Sequence, residues 1–206
     1  MKIRIAMMAA VAALALSGTG MAASLGDVVQ KGAMADRVKE KNQISLATAK
    51  ALGDHCIAEA ASKGMGASVV IVDQFGIITY YIRADGQGKA NTESALMKAK
   101  TVLNTRQPSK AQMNAVRSGA NSEARVISFG NFANAGALPI VVDGQFLGAI
   151  GVGGMAATVP VWSDEICAHN ALTAVLGPQP ALLPDLPNPY AISNNQATPP
   201  QRAAAQ

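Results

Sequence analysis

Apolar residues recur along this chain in two spacings, and each predicts a different kind of element. In "ISLATAKALGDHCIAEAASKGM", Ala49, Leu52, Cys56 and Ala60 lie three or four residues apart. That spacing marks one face of a helix from about Ser45 to Ser62, and Gly64 and Gly66 stop it. In "ASVVIVDQFGIITYYIRADG", Ser68–Val72 and Ile77–Arg83 are rich in β-branched and aromatic residues. With the glycine-containing Asp73–Gly76 between them, they predict a hairpin. "PIVVDGQFLGAIGVGG" predicts a second one, with Pro139–Val142 and Gln145–Val152 flanking the two-residue turn Asp143-Gly144.

Helical patterns fill the space between and after the hairpins. "NTESALMKAKTVLNT" predicts a helix with Asn91 or Thr92 as its N-cap. "PSKAQMNAVRSGA" predicts a shorter one, since Pro108 suits a helix start and would break an interior. "NSEARVISFGNFANAGAL" reads as a helix end plus loop. In "VWSDEICAHNALTAVLG", Ser163 is the expected N-cap, with Asp164 and Glu165 at the positive end of the dipole. Gly177 and Pro178 end that helix. The order helix, hairpin, two helices, hairpin, helix predicts an α+β fold. Its antiparallel sheet is built from two hairpins, with room for a fifth strand, and is flanked by helices.

The two ends of the chain differ from this middle. Residues 1–22 begin with Lys2 and Arg4, continue with an apolar run from Ile5 to Leu16, and close on small residues. This is the three-part pattern of a secretory signal peptide. The run is too short for a comfortable membrane span of roughly 20 residues. Residues 23–43 form a polar lead-in, 44–177 the α+β domain, and 178–206 a tail with seven of the ten prolines. Leu182, Leu183, Leu186 and Tyr190 predict that the first half of the tail drapes over a neighbouring surface. The expected location is periplasmic or secreted, with no membrane span after signal cleavage.

Export changes the charge and the cysteine chemistry. The leader holds two of the 17 basic residues and none of the 13 acids, so the mature chain is only slightly positive. No Lys/Arg cluster is interleaved with aromatics, which argues against nucleic acid as a partner. The two cysteines, outside the cytoplasm, allow a single bridge.

The series "VVIVDQFGIITYYIRADG", "SALMKAKTVLNTRQPS", "GALPIVVDGQFLGAIGVGGM" and "SDEICA" resembles the family of small haem-binding and haem-degrading proteins. That family includes a glycolate-operon protein and a domain of some corrinoid adenosyltransferases. The resemblance runs from about Ile44 to Leu176. It implies a profilin-like fold, a homo-oligomer, and haem or a related tetrapyrrole as cofactor or ligand. One departure is Ala84, where the pattern carries Met. The lead-in, the proline-rich tail and both cysteines lie outside the pattern.

The only cysteines and histidines form two neighbouring pairs, His55 with Cys56 and Cys167 with His169. On regular helices the first pair diverges by about 100° and the second by about 200°. Four-ligand zinc is therefore disfavoured. The fold implied by the resemblance allows the first and last helices to lie side by side. A Cys56–Cys167 disulfide is then expected, against the alternative of two buried thiols. Either histidine can reach a pocket edge as a haem-iron ligand, and the resemblance favours His55 over His169. If neither ligates, Tyr80, Tyr81, a methionine or a partner subunit remains.

Arg83 and Asp85 sit on a glycine-containing loop and can bind a propionate or another carboxylate, or simply close the turn. Gly151 and Gly153 leave a strand nearly bare, as happens where a backbone or a ligand approaches closely. Asp73 is expected to cap its own turn. Asp164 and Glu165 read as helix-end charges, with an acid cluster including Asp85 as the alternative. No nucleophile–base motif, P-loop or H-E-x-x-H is present, which leans away from an enzyme. Three functions stay open: an exported haem binder, an enzyme acting on a small organic acid, and an accessory subunit of a periplasmic system.

Overall fold

The computed structural model describes residues 22–32, 42–155 and 162–187. Most of the signal segment and the distal half of the tail lie outside these residues. In chain order the elements are α1 (Leu25–Val28), α2 (Leu46–Ser62), β1 (Ser68–Asp73), β2 (Ile78–Arg83), α3 (Lys89–Thr105), α4 (Ser109–Arg117), α5 (Ala120–Ser128), β3 (Ala137–Val142), β4 (Gln145–Gly153) and α6 (Asp164–Leu176). The four strands form one antiparallel sheet in the order β2-β1-β4-β3. The expected α+β architecture of two hairpins is therefore present. Among the described residues, the only trace of a fifth pairing is an isolated bridge, Val29 to Ile44.

Both faces of the sheet are covered, which is why β1 is buried at every position. On one face Val69, Ile71, Ile150 and Val152 meet Leu52 and Cys56 of α2 and Ala168 and Leu172 of α6. On the other, Val70, Val72 and Ala149 meet Ala95, Ala99 and Val102 of α3. The period-2 alternation of the strands thus feeds two separate apolar clusters.

Local signals explain the element ends. The Ser45 side chain accepts from the Thr48 N–H at 3.2 Å, and Ser163 accepts from Ile166 N–H at 3.3 Å. Ser163 is the N-cap expected from the sequence, whereas Ser45, expected as the start of its helix, caps α2. Asp143 and Gly144 both have positive φ, 50° and 75°, as a two-residue hairpin turn requires. Asp73 caps its turn, its Oδ1 accepting from Phe75 and Ile77 N–H groups at 2.9 Å each.

Two elements depart from expectation. Helix α3 starts at Lys89 with Gly88 as its cap, three or four residues earlier than Asn91 or Thr92. The Asn91 side chain instead donates to Gln87 Oε1 at 2.7 Å, and Thr92 faces the hydroxyls of Ser68 and Tyr81. The stretch read as a helix end plus loop contains a separate helix, α5. Its fully helical course follows from packing against α4, which no local cap announces.

Cys56 and Cys167 form a disulfide, with Cα atoms 5.3 Å apart and a separation of 111 positions along the chain. It joins the two helices that share the larger apolar cluster.

Residues 178–187 run extended along α6 and α4. Pro180, Leu183, Pro184 and Leu186 offer their carbonyl oxygens to His169, Lys110, Asn114 and Arg117 in turn. Prolines lack a donor N–H, so the tail meets these donors as a row of acceptors.

Candidate functional site

The first turn of α6 gathers most of the buried charged side chains among the described residues. Asp164 receives Lys98 Nζ at 2.7 Å on one oxygen and the Met155 N–H at 2.9 Å on the other. Lys98 is only 2% exposed and also donates to the Val152 carbonyl at 3.0 Å. Next to it, Glu165 is 1% exposed and pairs with Lys110 Nζ at 2.6 Å. Lys110 further contacts Asp185 of the tail at 3.1 Å and the Leu183 carbonyl at 3.0 Å. Among the described residues, Glu165 Oε1 has no hydrogen-bond partner.

Sequence reasoning placed Asp164 and Glu165 at the helix start but missed both lysines. Each had a signal. Lys98 lies on the same face of α3 as Ala95, Ala99 and Val102, a cation inside an apolar stripe. Lys110 stands in the first turn of α4, where the dipole disfavours a positive charge unless an anion offsets it.

Burial governs the protonation of this cluster. It pushes the carboxyls of Asp164 and Glu165 up from the ordinary carboxylate range, and Lys98 and Lys110 respectively hold them back. Burial also works against the Lys110 ammonium, but its hydrogen bonds to Glu165 and Asp185 prevail and raise its pKa.

A cleft of about 390 Å³ opens beside these groups, lined by Lys110, Arg117, Asn134, Ser163, Glu165 and Asp185 among others. A much smaller apolar pocket of about 70 Å³ lies between α6 and the tail, where His169 meets Pro108, Leu138, Leu172 and Leu182.

The residues singled out from sequence lie apart from this cluster or at its margin. His55 is half-exposed on α2, its Nε2 3.8 Å from Glu59 Oε2. Glu59 Oε1 accepts from Asn170 at 2.9 Å, while Oε2 is buried without a hydrogen bond among the described residues. His169 has its Nε2 3.0 Å from the Pro180 carbonyl. Arg83 and Asp85 are both exposed and make no ion pair with each other among the described residues. Asp85 does not line the charged cleft, so the acid cluster consists of Asp164, Glu165 and Asp185 instead.

Gly151 and Gly153 are buried beneath α3. A Cβ on Gly151 would strike the Ala95 carbonyl, and one on Gly153 would strike the Asn91 carbonyl. Their bareness serves helix-on-sheet approach rather than open space for a ligand. Tyr80 donates to Asp54 at 2.8 Å and Tyr81 lies 3.1 Å from the Thr92 hydroxyl. Among the described residues, no three His, Cys, Asp or Glu side chains converge as a metal site.

This arrangement of sheet, helices and order of motifs can be set beside known proteins. The model of the family described as haem degrading protein HbpS-like matches residues 44–173, well over half of the chain. The chain belongs to the HbpS-like family. Among solved structures, HbpS of Streptomyces reticuli, in a double-mutant form, is 26% identical with a TM-score of 0.57, covering 73% of this chain and 96% of that one. Protein ORFY of Klebsiella pneumoniae is 23% identical with a TM-score of 0.58, covering 66% and 92%. PduOC in complex with haem is 21% identical with a TM-score of 0.58, covering 65% and 95%. The last two likenesses show the shared fold. No curated protein matches the chain. In this HbpS-like chain the family match ends at residue 173, so the Pro180–Pro187 tail that closes both pockets lies beyond it.

Proposed function

We propose that this protein is an exported binder of haem or a related tetrapyrrole. The observation that carries the reading is the HbpS-like family match over residues 44–173. The signal-like residues 1–22 support export to the periplasm or the exterior, where the Cys56–Cys167 disulfide can persist.

Haem does not fit the apolar pocket at His169 with the tail in place. The apolar pocket at His169 is about 70 Å³, whereas pockets for sizeable ligands run to about 300–1,000 Å³. Binding therefore takes place at the surface, between copies of the chain, or after the tail lifts. Of the two histidines, His55 suits iron better. Its ring is half-exposed and has the Glu59 carboxylate behind it, the type of partner that orients a metal-bound imidazole. His169 instead borders the small pocket that the tail closes. When bound, haem supplies its own iron chemistry, and the chain contributes binding and orientation.

A haemin titration of the mature protein, followed by absorption spectroscopy, tests this. The expected result is a Soret shift that is lost in His55→Ala and kept in His169→Ala. No shift, or equal binding in both variants, would sink the assignment.

A further inference from the structure

We propose that the cleft between α4 and the first turn of α6 is a second ligand site, for a small monocarboxylate bearing a hydroxyl donor, and that Asp185 of the tail occupies its carboxylate position. This inference stands independently of haem binding.

Three observations meet in the cleft. The first is a buried acceptor without a donor. Glu165, which lines the cleft, is held in place by Lys110 through Oε2, yet its Oε1 is buried and has no partner among the described residues. A buried oxygen left unpaired is unfavourable unless a ligand or water supplies a proton donor. The second is charge. Lys98, Lys110 and Arg117 are three cations around Asp164 and Glu165, two carboxylates, so one positive charge remains without the tail. Asp185 neutralises it. This balance selects a monoanion with a neutral hydroxyl over a zwitterion.

The third is how lightly Asp185 is held. Its side chain is 73% exposed, while the Lys110 it contacts is 8% exposed. The neighbouring tail contacts are carbonyl oxygens on Lys110, Asn114 and Arg117. A ligand carboxylate can replace Asp185 on Lys110 and reach the Arg117 guanidinium, a pairing such forks favour. Its hydroxyl would then donate to Glu165 Oε1. The cleft volume of about 390 Å³ accommodates a molecule of this size. Residues 183–187 thus act as a self-strap over the site.

The test is calorimetric titration of the mature full chain and of Asp185→Asn with lactate and with propionate, which has the carboxylate but no hydroxyl. Asp185→Asn is expected to bind lactate at least about tenfold more tightly than the parent, and propionate at least about tenfold more weakly than lactate. A smaller difference in either comparison overturns the proposal. So does lactate binding that survives Arg117→Ala in the Asp185→Asn background. The haemin Soret titration run on Asp185→Asn separates the two sites. An unchanged spectrum is expected, and a lost Soret shift would show that the cleft belongs to the haem site, overturning its independence.

Discussion

Helix α6 is held at its middle by apolar side chains and a disulfide, and at its first turn by buried charges. Around Cys167, the helix meets Cys56, Leu52 and Ala49 of α2, and the contact is apolar and buried. One turn earlier, Asp164 and Glu165 meet Lys98, Lys110 and a cleft that the tail covers. The two regions solve opposite problems. The apolar seam gains from burial itself and from a cross-link that limits the unfolded chain. The charged turn loses hydration on burial and must recover it by pairing, so a missing partner is felt at once. A permanent scaffold therefore sits beside a region left incomplete at one oxygen, which is where a ligand has something to add.

The difference can be attacked from the apolar side first. Replacing Cys56 and Cys167 by serine, or reducing the bridge, should cost about 4–5 kcal/mol in the chain-entropy model for a loop of this length. Denaturant unfolding with and without reductant measures it, and unchanged stability would show that α2 and α6 hold together by packing alone. The charged side comes next. Lys98→Met leaves Asp164 buried without its cation and should cost about 3–5 kcal/mol. The double variant Lys98→Met with Asp164→Leu should recover much of that loss. A single variant as stable as the parent would mean that the pair contributes nothing to the fold.

The smallest effect concerns pH. The Glu165 carboxyl is raised by burial, with Lys110 opposing the rise. Its folded-state value thus lies above its unfolded one. The stabilising contribution of its protonation is full below the ordinary carboxylate value and is lost as the pH rises through the raised one. Acidification from about pH 7 to about pH 5 should therefore shift the Tm difference between the parent and Glu165→Gln in favour of the parent, by roughly a few degrees. A difference that stays flat or moves the other way would place Glu165 on the Lys110 side of the balance.

The comparison also marks what could be read ahead of the fold. The apolar face of α2, both hairpins, and Ser163 as a cap were legible because each depends on residues within one or two turns of each other. The start of α3 was misplaced because Asn91 and Thr92 are capping residue types whose side chains found partners in Gln87, Ser68 and Tyr81 instead. Gly151 and Gly153 stood out correctly as a place of close approach, yet what approaches is α3. Arg83 and Asp85, promising as neighbours in sequence, are both left in solvent.

The sequence by itself determined the two hairpins, most of the helices, their order, the family and the chemistry available, since periodicity, turn residues and motif order are local or serial properties. Only the tertiary structure decided the partners. Lys98 and Asp164 are 66 residues apart, and the tail reaches back about 70 residues to α4. Such pairings are set by how two helices dock on opposite faces of a sheet, and the free energy of a buried charge depends on which side chain that docking brings within reach.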